Sequence, residues 1–341
     1  MKGYRPVGMI GTVVATLMLC APGDLFGQQG SGKETQQSVT FGPPLRDNIL
    51  FHYVYTERVR HRFMDQTGEV IDSSERNLIY YITQRQMPSE FGEGAHNIET
   101  NIDSMRIRYV GSDGEISFNT QVMTDISDIN LIRHPAVLVP STLVNSVVHA
   151  TISPYGTSDD SLRSESIASY REQKEDPMLD DFTYKRMDHM MEDDYLKSIF
   201  FTWRGVLPIG RTVEYGRPTP IPFIGTLDRI TFDDTAAVVV TAADEGRGHL
   251  LRFTARLSDP TYEWITYDAI PLPILLNGAS GTMTGQLELD QDGVVLSGFS
   301  IANGTATGTA RGKVYNVKID HEAYIELGGM INFALGRERG K

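Results

Sequence analysis

Between Ile49 and Met64 the chain alternates with a period of two, and no other feature constrains its fold as tightly. Ile49, Phe51, Tyr53, Tyr55, Val59 and Phe63 share one parity. Successive side chains of a strand point to opposite faces, so such a run is a long, half-buried β-strand. The turn residues Asp65-Gln66-Thr67-Gly68 follow, and Asn77–Met87, rich in Ile and Tyr, is the expected antiparallel partner. Ile98–Val110 and Glu115–Met123 read as two further strands. Gly111-Ser112-Asp113-Gly114 joins them and supplies residues that accept the positive φ of a tight turn. Val137–Ser153 reads as a strand pair or one long strand, ending at Pro154-Tyr155-Gly156.

The pattern then changes. Tyr184, Met187, Met191, Tyr195, Ile199 and Trp203 recur every three or four residues, the spacing of one helix face, with Asp188, His189, Glu192 and Asp193 on the other. From Thr212 the alternation returns, in Thr226–Ala243, Gly248–Leu257, Thr282–Leu289, Val294–Ala310 and Lys313–Leu327. The expected fold is therefore mainly β (α+β): two antiparallel, curved β-sheet halves with a central amphipathic helix insert. The corresponding segments are a leader over 28–44, an N-terminal β half over 45–157, the helical insert over 158–207, a C-terminal β half over 208–330 and a tail over 331–341.

The first 27 residues read as a cleavable signal sequence. Lys2 and Arg5 precede an uncharged apolar run from Val7 to Cys20, shorter than the about 20 apolar residues of a bilayer-spanning helix. Cleavage after Gly27 removes the chain's one cysteine, Cys20. The alternative is a lipoprotein anchored through that thiol, against which Leu19 stands where a small residue is wanted. Export to the periplasm or the medium is the expected destination. The mature chain would have no transmembrane helix.

The whole chain carries 31 basic and 44 acidic residues, a net charge of −13. Loss of Lys2, Arg5 and Asp24 leaves 29 and 43, or −14. An acidic surface disfavours nucleic acid and anionic lipid headgroups as partners, because like charges repel.

No catalytic residue can be named. Gly-x-Ser-x-Gly, His-Glu-x-x-His and the dinucleotide fingerprint are all missing, and the eight histidines stand singly. His189 and Asp193 are spaced to reach one ion, but two ligands do not make a zinc site, so neither metal nor cofactor is expected. Two candidate sites remain. Met187, Met191, Tyr195 and Trp203, with Gly304 and Gly308 from the small-residue face Gly304–Gly312, would hold an apolar ligand; the alternative is core packing of helix on sheet. Arg58, Arg60 and Arg62 on one strand, with Arg106 and Arg108 on a nearby one, would clamp an anion; the alternative is a solvent face neutralised by acidic residues of adjacent strands.

Thr151-Ile-Ser-Pro-Tyr-Gly-Thr157, Leu207-Pro-Ile-Gly-Arg-Thr-Val-Glu-Tyr215 and Gly285-Gln-Leu-Glu-Leu-Asp-Gln-Asp-Gly293 resemble landmarks of an uncharacterised family of secreted bacterial β-rich proteins. That likeness brings no catalytic residues. The architecture is also similar to the LolA-like half-barrel carriers of lipoproteins and lipids, in which a curved sheet closes over helices. Three functions are thus expected in order: an exported, non-enzymatic protein binding an apolar or lipid-like ligand, a structural module contacting envelope proteins, and a hydrolase with a dispersed site.

Overall fold

The computed structural model describes residues 38–42, 46–89, 96–112, 114–144, 147–152, 206, 208, 210–228, 230–243, 248–258, 260, 264–267 and 270–332. Over these the chain is mainly β. In order, the elements are β1 (Ser38–Thr40), β2 (Ile49–Met64), β3 (Val70–Pro88), β4 (His96–Gly111) and β5 (Gly114–Asn119). Three short helices come next, α1 (Met123–Ser127), α2 (Ile129–Arg133) and α3 (Pro135–Ser141), then β6 (Val147–Ile152). The remainder is β7 (Thr212–Glu214), β8 (Thr219–Leu227), β9 (Ile230–Ala242), β10 (Gly248–Leu257), β11 (Trp264–Tyr267), β12 (Ile270–Asp290), β13 (Val295–Ala310) and β14 (Lys313–Asn332). The helix expected over 184–203 lies outside the described residues, and with it Met187, Met191, Tyr195 and Trp203.

Twelve strands form one antiparallel sheet in the order β5-β4-β3-β2-β14-β13-β12-β10-β9-β8, with β6 beside β4 and β11 beside β12. β1 and β7 pair separately. The two expected halves are thus one sheet, joined where β2 runs antiparallel to β14 from Ile49–Asn332 to Met64–Asn316. Alternation sets the faces. Phe51, Tyr53, Tyr55, Val59 and Phe63 are buried, as are Leu78, Tyr80 and Ile82 of β3 and Val317, Ile319 and Ala323 of β14. The side chains between them point to the outer face.

The sheet is open at β5 and β8 but rolled at its β8 end. A Cβ on Gly304 of β13 would collide with Leu227 of β8, four strands away in the sheet order, so this edge strand has come back over the inner face. On the N-terminal side the inner face is covered by α3, whose Pro140 carbonyl accepts from the buried Tyr80 hydroxyl at 2.9 Å. At one end Arg46 bridges Asp290 and Asp292 of the β12–β13 turn, at 2.6 Å each.

Three expected strands are corrected. Val137–Ser153 begins as helix α3, because His134 caps the Ala136 amide and Pro135 opens the first turn with its φ already helical. Ala136, Val137 and Val139 pack inward from that helix. Glu115–Met123 stops at Asn119, where a turn leads into α1. Thr226–Ala243 is broken by a two-residue turn after Leu227, which pairs with Ile230.

Candidate functional site

That turn begins the most unusual feature of the interior. Asp228 has φ 54°, a left-handed conformation that Asp tolerates better than most residues. The turn carries its side chain into the inner face of β2 and β3, where it has no exposure. Arg76 Nη2 donates to Asp228 Oδ1 and to Glu57 Oε1, both at 2.8 Å. His61 Nε2 lies 3.1 Å from Asp228 Oδ2. The Asp228 amide donates to His321 Nδ1 at 3.1 Å. His321 Nε2 faces Glu57 Oε1 at 3.6 Å. Five ionisable side chains therefore meet inside a sheet whose other inward groups are mostly apolar. Burying charge is tolerated when it is paired, and here one guanidinium serves two carboxylates.

Ser74 Oγ lies 3.3 Å from His61 Nδ1, so Ser74, His61 and Asp228 stand in the serial order of a nucleophilic relay. The carboxylate is shared with Arg76. Ser74 and His61 are a cross-strand pair on the inner face, the opposite face from the arginines of β2. Among the described residues no group of three or more His, Cys, Asp or Glu is arranged to hold a metal ion.

The arginines expected to hold an anion fall on the outer face. Glu75 of β3 takes Arg58 Nη2 at 2.9 Å and Arg60 Nε at 3.2 Å. Burial pushes the Glu75 carboxyl up, but hydrogen bonds from Asn77 and Arg58 and the charges of Arg58 and Arg60 outweigh it, leaving it below its ordinary range. Arg108 pairs with Glu115 at 2.8 Å; that hydrogen bond and charge hold Glu115 down and Arg108 up. Arg106 lies over the Tyr81 ring at 5.5 Å. Acidic neighbours thus occupy Arg58, Arg60 and Arg108, whereas Arg62 has no carboxylate within ion-pair distance among the described residues. A groove of about 520 Å³ runs beside Arg60, Arg62, Arg108, Ser73 and Glu75.

The glycine face is filled from within the sheet. Leu227 takes the space above Gly304, and a Cβ on Gly308 would meet Ile274 and the Leu275 carbonyl. Strand-on-strand packing fills the space above these two glycines.

Sequence reasoning did not find the apolar patch of the outer face. Phe299, Ile301 and Tyr324 are 36%, 37% and 42% exposed, large values for aromatic and branched side chains that lie side by side on β13 and β14. Phe299 pairs with Tyr324, and Ile301 with Glu322. A groove of about 240 Å³ passes between Gln286, Phe299, Tyr324 and Ile325. Burial, then the charge and hydrogen bond of Glu322, raise the Tyr324 hydroxyl above its ordinary pKa against the pull of Arg58.

A separate polar contact closes the end near β7. The Tyr215 hydroxyl lies 2.9 Å from His249 Nδ1, and Phe41 meets the imidazole edge-on at 5.1 Å. Burial drives His249 below the ordinary histidine range, against the opposing effects of the Gln291 backbone and the Asp290 charge.

No family model and no curated protein sequence matches the chain. Several solved structures are similar in part, two of which follow. One is lipovitellin, studied for its lipid–protein interactions: TM-score 0.45, 10% identity, over 84% of this chain and 26% of that one. The other is an outer membrane channel from Pseudomonas putida F1: TM-score 0.23, 8% identity, over 83% of this chain and 96% of that one. The chain spans about a quarter of the lipovitellin chain.

Proposed function

We propose that this is an exported, non-enzymatic protein that binds an apolar or lipid-like molecule, and that the outer face of β13 and β14 is where it binds. The observation that carries this reading is the exposed cluster of Phe299, Ile301 and Tyr324 beside a groove. Clustered large apolar side chains on a folded surface mark interaction sites more often than isolated ones do. Export is supported by the basic residues and the short apolar run before Gly27. The filled glycine face directs the ligand away from Gly304 and Gly308.

The test is a titration of the full chain with N-phenyl-1-naphthylamine, a neutral apolar dye that brightens when bound. Saturable brightening is expected, and it should be lost in a Phe299→Ser, Tyr324→Ser double variant that melts at an unchanged temperature. No brightening, or equal brightening in the variant, would sink the reading.

A hydrolase is the second reading, favoured by the Ser74–His61–Asp228 series. It requires an ester-cleaving activity that disappears in Ser74→Ala.

A further inference from the structure

The register of the outer face pairs charges with care until one row, where the pairing fails. Arg58 lies opposite Glu322, and Arg60 opposite Asp320 on one side and Glu75 on the other. At the next row Arg62 lies opposite Lys318 on β14 and Ser73 on β3. Thr305 of β13 completes the row beyond Lys318. All four side chains are exposed. Like charges directly opposite one another across strands destabilise a sheet. Among the described residues neither Arg62 nor Lys318 has a carboxylate within ion-pair distance. A hydroxyl, an ammonium, a guanidinium and a second hydroxyl thus stand in line across four strands, and the Arg62 and Ser73 end of the row lines the 520 Å³ groove.

We propose that the row Thr305–Lys318–Arg62–Ser73 is an anion site that receives the phosphate or carboxylate head group of an amphiphile whose apolar part lies on Phe299, Ile301 and Tyr324. This rests on the apolar-ligand reading above and names the ligand's other end. A bound anion offsets the repulsion between Lys318 and Arg62 and accepts charge-assisted hydrogen bonds from both, the stronger class of hydrogen bond. The separation suits the occupant. Tyr324 lies opposite Thr56, and Thr56 to Arg62 spans about 20 Å at roughly 3.4 Å per residue. An acyl chain covers about 15 Å, half of a bilayer core of about 30 Å, and a head group covers the rest. Arg58 and Arg60, which lie between, are both paired with Glu75, so among the arginines of β2 the unpaired positive charge is that of Arg62.

The experiment is calorimetric titration of the full chain with dodecyl phosphate, dodecyl maltoside and inorganic phosphate, the surfactants below their micelle thresholds. Dodecyl phosphate should bind most tightly. An Arg62→Gln, Lys318→Gln double variant, altered only at exposed positions, should weaken it at least about tenfold and leave the maltoside unchanged. Equal affinity for the two surfactants, or a variant that binds dodecyl phosphate as well as the parent, overturns the head-group site while the apolar reading stands. Inorganic phosphate binding as tightly as dodecyl phosphate makes the row a free-anion site and overturns the amphiphile. If neither surfactant binds, the apolar reading falls first and this proposal with it.

Discussion

Asp228 and Arg76 are 152 residues apart in sequence and 2.8 Å apart in the fold. Their ion pair fastens the β8–β9 turn to the inner face of β3. Among the described residues no backbone ladder joins β8 to β3, and side chains hold the rolled end of the sheet there.

Removing one partner of a buried pair leaves the other charge stranded, which costs about 3–5 kcal/mol. Arg76→Met strands both Asp228 and Glu57, so urea unfolding should show a loss of at least that order. Asp228→Asn keeps a residue that tolerates positive φ and leaves Arg76 paired with Glu57, so it should cost less, and the double variant should cost less than the sum. Additive losses would show that the two residues are not coupled.

Gly304→Val tests the roll itself. The new side chain would meet Leu227 and the Ser280 carbonyl, and overpacking of this kind costs about 1–3 kcal/mol. Leu227→Ala in the same chain should return part of the loss. A Gly304→Val protein as stable as the parent would mean that Leu227 does not sit on β13.

Stability should fall with acid in two stages. His249 is depressed by burial, so its contribution is complete above the unfolded value of about 6.5 and is lost as pH falls through its folded value, because only the unfolded state takes up the proton. Glu75 is also depressed overall, and its contribution is present above the unfolded value of about 4.3 and lost below that. Urea midpoints of His249→Gln and Glu75→Gln against pH should flatten the first and the second stage respectively. A slope unchanged by either substitution contradicts the assignment.

The long strands were legible because period-two alternation and turn residues agree, as in β2, β10 and β14. The β8–β9 turn was not, since Asp228-Arg229 lacks the glycine that marks most such turns, and alternation continues across it. Val137 and Val139 looked strand-like until the cap and proline before them decided for helix. The buried cluster left one readable trace. Glu57 and His61 occupy the buried parity of β2 between Tyr55, Val59 and Phe63, and a charge on that parity needs an inward partner. Which partner it meets depends on the roll of a twelve-stranded sheet, and no local pattern encodes that. The apolar patch escaped for the same reason: Phe299 and Tyr324 become neighbours only once β13 and β14 are in register.

The most direct test of a ligand on the outer face is the intact mass of the full chain, expressed for export and purified without detergent, under native and then denaturing ionisation. The account predicts extra mass that survives native ionisation, leaves on denaturation, and corresponds to a lipid-like molecule with an anionic head group. The bare chain mass under both conditions would contradict it.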